Sequence, residues 1–155
     1  MAKPDHLYAL KQGTVYWNQW RLEHPEIRPD LSKADLTRTN LSFTNLSQVN
    51  LSYAILTSAE LRDTNLREAD LSLANLRAAN LRNANLRHTN LTAADLTGVD
   101  LRDANLSFAN LKVANLNGAD LRGTVFTSTN LDGAILTNTK KRNSLWNLLT
   151  GDDSR

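Results

Sequence analysis

The sequence lacks cysteine altogether, which excludes disulfides, Cys-ligated zinc and thiol catalysis. Aromatic residues are few, at 6%. The globular apolar fraction of 41% is therefore carried by aliphatic side chains. No apolar run approaches the ~18–20 residues of a membrane span. The start, Met1-Ala2-Lys3-Pro4-Asp5-His6, has no apolar h-region of the secretory type. Charge of one sign is missing too: 18 Lys and Arg face 16 Asp and Glu over 155 residues. These absences lead us to expect one soluble, cytoplasmic domain with no membrane contact.

What is present is a repeat. From Leu31 to Leu136 a large apolar residue recurs at every fifth position, 22 times in all, 21 as Leu and once as Phe126. Two residues before each centre stands Ala 13 times and Thr six times, with Val49, Val99 and Pro29 completing the set. The residue just before the centre is Asn 12 times and Asp six times. Ile55, Glu60, Val125 and Ile135 are the departures there. Two freely varying positions follow each centre, so the register reads Ala-(Asn/Asp)-Leu-X-X over residues 29–138.

A period of five fits neither regular element. On a helix successive Leu residues would rotate by about 140° and coat every side. On a strand the odd spacing would send them to opposite faces in turn. A chain that bends once per repeat satisfies the pattern, because every Leu can then point at a common axis. Asn and Asp suit such corners, since their short polar side chains bond nearby backbone.

These residues resemble the pentapeptide-repeat family, and the resemblance covers 110 of the 155 residues. It implies an all-β solenoid, a right-handed quadrilateral β-helix with four repeats per coil of 20 residues and short α-helical caps at one or both ends. Ala34, Ala54, Ala74, Ala94, Ala114 and Ala134 form an unbroken column at that spacing. The predicted rod has about 5.5 coils and a length of roughly 26 Å at the strand spacing of ~4.8 Å.

Residues 1–28 are expected to plug one end of the rod, partly as helix. Gly13 divides two helix-compatible pieces, and Thr14 is placed to N-cap the second. Trp17 and Trp20 fall one helical turn apart. The run Trp17-Asn18-Gln19-Trp20-Arg21 resembles leaders on many bacterial family members, and plain rods of this type are abundant in cyanobacteria. Residues 139–155 hold a basic cluster, Lys140-Lys141-Arg142, then a short amphipathic piece with Leu145, Trp146, Leu148 and Leu149. That piece is a candidate cap on the last coil or, as the resemblance implies, a candidate homodimer contact.

No pattern in the sequence carries catalysis, so we expect no enzyme, no cofactor and no metal. The three histidines lie far apart, with only His88 in the rod. No phosphate-binding loop appears; Gly98, Gly118, Gly123 and Gly133 all occupy the second variable position, where a corner accounts for them.

The outward columns remain. Arg62, Arg82, Arg102 and Arg122 stack at 20-residue spacing, flanked by Glu60, Asp100 and Asp120 on one side and Asp63 and Asp103 on the other. An exposed charge ladder is favoured there over a nucleic-acid strip. Tyr53, Leu73, Ala93 and Val113 form an apolar column, a candidate surface for a protein partner.

The leading functional expectation is a non-catalytic interaction module that presents variable side chains on a rigid rod to an unidentified protein. The resemblance adds an alternative, because some family members bind DNA gyrase by imitating duplex DNA. Duplex DNA carries one negative charge per ~1.7 Å, so the rod would need on the order of 15 uncompensated negatives. Residues 29–138 hold 11 acids against 10 bases, which disfavours that reading. Binding of nucleic acid through the Arg column is a further alternative, with affinity that would fall steeply with salt.

Overall fold

Each five-residue unit closes one tight turn. The structure, a computed structural model, describes residues 1–141. The Ala34 N–H donates to the Leu31 carbonyl at 3.1 Å, and the same bond recurs at each unit up to Ala134 and Leu131. The second variable residue has positive φ throughout, from Lys33 at 60° to Asn138 at 56°, while the first does not. This is the φ pattern of a type II turn. Glycine fills that corner only four times; 18 non-glycine residues hold it elsewhere, the β-branched Val113 among them.

The turns are joined by a parallel backbone ladder with a register of 20. Asp30 bridges Asn50, Asn50 bridges Asp70, and the pattern continues to Asp120 with Lys140. Four turns therefore make one coil. The ladder reaches past the last recognisable repeat because these bonds use backbone groups alone.

Where Asn or Asp precedes the centre, all five N–H groups of an interior unit are satisfied. In the unit centred on Leu51, the Leu51 N–H donates to Asp70 O at 2.7 Å and the Tyr53 N–H to Ser72 O at 2.9 Å. The Ala54 N–H closes the turn on Leu51 O, and the Asn50 N–H reaches back to Pro29 O at 2.9 Å. The fifth, from Ser52, donates to Asn50 Oδ1 at 3.0 Å. That last bond explains the Asn/Asp position: its side chain is the acceptor for the one N–H the ladder and turn leave over. Asn75, Asn85 and Asp95 serve Arg77, Arg87 and Thr97 in the same way.

The axis is filled by the centres and the small residues beside them. Leu46, Leu51, Leu56, Ala54 and Ala59 are fully buried, and Leu81 and Leu86 continue the stack. Buried Thr64 and Thr89 fit this apolar column because their hydroxyls donate to Leu41 O at 2.8 Å and Leu66 O at 3.1 Å, one coil below. At the far end Leu131, Ala134 and Leu136 are only partly buried. With Phe126 they line an opening of about 470 Å³ at the end of the column.

Two helices cover the other end, α1 (Pro4–Lys11) and α2 (Thr14–Glu23). Thr14 is the first residue of α2 rather than its N-cap, which is Gly13. Its hydroxyl is drawn instead to the first coil, 3.0 Å from the Thr44 hydroxyl. Trp17 is wholly buried, and Trp20, stacked on it at 5.3 Å, lies partly buried against the core. No helix among the described residues is long and apolar enough to cross a membrane. The C-terminal segment with Leu145, Trp146, Leu148 and Leu149 lies outside the described residues.

Candidate functional site

Because the interior is filled along the length of the rod, the side chains that vary from coil to coil sit on the outward columns. Three of them separate clearly by charge and shape.

The Arg column is internally paired. Arg102 Nη2 lies 2.6 Å from Asp100 Oδ2, and Arg122 Nη2 lies 2.7 Å from Asp120 Oδ2. Arg62 pairs with Asp63 at 2.9 Å, and Arg82 reaches Asp103 at 3.8 Å. The hydrogen bond from Arg102 holds the Asp100 carboxyl below the usual carboxylate range, and Arg122 does the same for Asp120. In both cases burial opposes the shift and is outweighed. Three of these arginines thus spend their charge on an acid of their own turn, and Arg82 reaches one on the next coil.

The apolar column stands out from the surface. Tyr53, Leu73 and Val113 are each about half exposed. Ala93 between them is more enclosed. Lys33 lies over the Tyr53 ring, 5.7 Å from its centroid. Ile55 and Ile135, one outward position further on, also expose about half their surface. Both stand where Asn or Asp belongs, so the Thr57 and Thr137 N–H groups have no Asx acceptor. Two departures from the repeat therefore extend one apolar corner. The sequence carried that signal, as breaks in the Asx rule next to the apolar column.

A third column joins Gln48, Glu68, His88, Phe108 and Ser128, and sequence reasoning passed over it. The His88 and Phe108 rings stack at 4.9 Å and only 6° from parallel. Gln48 donates to Glu68 at 2.8 Å, and Arg67 donates to the other Glu68 oxygen at 3.0 Å. Those two bonds, Gln48 first, lower the Glu68 pKa. Nothing but spacing of 20 between an imidazole and a phenyl ring announced the stack. Among the described residues no group of three or more His, Cys, Asp or Glu side chains could hold a metal ion.

A ladder of isolated parallel bridges, a turn every five residues and a packed leucine axis define a β-solenoid whose variable positions face outward. The chain belongs to the pentapeptide repeats family, whose model matches residues 30–67, 69–107 and 104–140. The family's solved structures imply the right-handed quadrilateral β-helix, and the 20-residue register agrees with it. A pentapeptide repeat protein from the Arabidopsis thaliana thylakoid lumen is 34% identical, with TM-score 0.63, over 70% of this chain and 72% of that one. One from the cyanobacterium Cyanothece 51142 is 30% identical, with TM-score 0.36, over 81% and 94%. The plasmid-mediated fluoroquinolone resistance protein QnrB1 is 21% identical, with TM-score 0.43, over 73% and 64%. No curated protein matches the chain.

Proposed function

We propose that this protein is a non-catalytic interaction module, a rod of about 5.5 coils that holds variable side chains at fixed spacing for a protein partner in the cytoplasm. The observation that carries the reading is the apolar corner of Tyr53, Ile55, Leu73, Val113 and Ile135, all about half exposed. Isoleucine at 55 and 135 gives up the side-chain acceptor that Asn or Asp would offer a backbone N–H, and both lie beside the apolar column. An apolar stripe of this kind marks an interaction site. The backbone beneath it is fixed by the ladder, so docking would cost little ordering entropy.

Two rival readings are weaker. Imitation of duplex DNA requires uncompensated negative charge, whereas the rod's 11 acids face 10 bases and six of the acids pair with an arginine. Direct nucleic-acid binding requires free cations, and the Arg column has none to spare. Leu73→Glu tests the proposal. It should abolish capture of the partner from an extract of the source organism while the melting temperature stays unchanged. Undiminished capture would remove this corner from consideration. Inhibition of gyrase supercoiling at sub-micromolar protein would instead favour the DNA-mimic reading.

A further inference from the structure

Between residues 62 and 122 the rod carries seven arginines. Six of them pair with a carboxylate: Arg62, Arg67, Arg77, Arg82, Arg102 and Arg122. Arg87 does not, among the described residues. Its guanidinium lies 5.7 Å from the centroid of the Phe108 ring, and its side chain donates no hydrogen bond among the described residues. Glu68, the one acid of the adjoining column from Gln48 to Ser128, is already engaged by Arg67 and Gln48.

The surroundings favour an anion with a flat neighbour. Phe108 is stacked on His88 yet remains about half exposed. The next position in its column is Ser128, so no large side chain continues the stack there. Coils repeat at about 4.8 Å, close to the 4.9 Å between the His88 and Phe108 rings. Among the described residues, the room beside Ser128 therefore matches one more planar ring. A guanidinium held against an aromatic ring keeps its N–H edge free for a carboxylate.

We propose that Arg87, His88 and Phe108 form a second docking site, for an acidic segment of a protein partner. A carboxylate of that segment pairs with Arg87, and an aromatic side chain beside it extends the ring stack at Phe108. The site extends the interaction-module reading but lies on a different column from the Leu73 corner, and the two fail independently.

The test uses the isotopically labelled full chain and NMR. The probe is the peptide acetyl-Glu-Glu-Trp-Glu-amide at millimolar concentration. Saturable shifts of the Arg87 Nε–H and Phe108 ring signals are expected. Arg87→Gln should weaken binding by up to about fivefold, the upper range for an exposed ion pair. Phe108→Ser should erase the advantage of Trp over Ala in the peptide. Thermal melts of both variants check that the rod is intact, and Leu73→Glu should leave the shifts unchanged. The proposal is overturned if the peptide moves neither signal. It is equally overturned if acetyl-Lys-Lys-Trp-Lys-amide acts as well, or if oligothymidylate shifts the same signals more strongly.

Discussion

The repeat rod and its N-terminal cap solve one problem by different means. In the rod, a coil's outward-facing ladder groups are met by the backbone of the next coil. Thus Asn65 N–H donates to Thr44 O, Leu46 N–H to Asn65 O and Gln48 N–H to Arg67 O. The first coil has no predecessor, and on the Asn45 side three side chains of α2 take its place. Asn18 Oδ1 accepts from the Asn45 N–H at 2.8 Å, Trp17 Nε1 donates to Asn45 O at 2.8 Å, and Arg21 donates to Ser47 O at 2.9 Å. These are the same three groups the ladder uses on every later coil. The Asp30 side is met by His6 Nδ1 and the Lys3 N–H. A helix can therefore stand in for a missing coil, given side chains of the right reach. The substitution has a cost: Arg21 is buried, its Nε has no partner among the described residues, and burial lowers its pKa.

Trp17→Ala should break the comparison most strongly. It removes a fully buried indole, about 3–5 kcal/mol, and a hydrogen bond besides. Hydrogen exchange should show first-coil amides around Asn45 losing protection while amides near Leu96 keep theirs. Equal loss along the whole rod would mean that cap and rod are one cooperative unit. Leu81→Ala, in mid-rod, should cost about 2–5 kcal/mol in denaturant unfolding and loosen the coils on both sides. A loss below about 0.5 kcal/mol would remove Leu81 from the core.

Smaller changes sharpen the account of the Asx position. Asn75→Ala leaves the Arg77 N–H without its acceptor and should lower stability by about 0.5–1.5 kcal/mol. Ile55→Asn should do the reverse by up to a similar amount, read as a shift in the denaturation midpoint. The smallest effect belongs to pH. Asp100 and Asp120 have pKa values lowered in the folded state by Arg102 and Arg122. Their contribution is therefore present above the unfolded carboxylate pKa of about 4 and lost as pH falls below it. Melting temperature should be level near neutrality and decline in acid, less steeply in Arg102→Gln.

The leucine register and the small residue beside it were enough to place the axis, because burial of an aliphatic stripe dictates both. The 20-residue register is another matter. A period of five fixes a bend per unit but not how many bends close a coil, and only the alanine column hinted at four. The corner residue was harder to see. Glycine at 98, 118, 123 and 133 marks positive φ, yet Leu73, Phe108 and Val113 hold the same conformation, since the surrounding ladder fixes the backbone whatever the side chain. Likewise Arg87 looks like any other arginine of the repeat until its neighbours are placed. Whether a cation is matched depends on which acids the coils bring beside it.

The coil length has a consequence for how such a chain can change. Duplicating or deleting twenty residues lengthens or shortens the column and leaves every downstream side chain facing as before. Gain or loss of a single unit of five keeps the leucines inside but swings everything beyond it by a quarter turn. The Tyr53 end of the apolar corner would then part company with the Val113 end, in a protein that still folds.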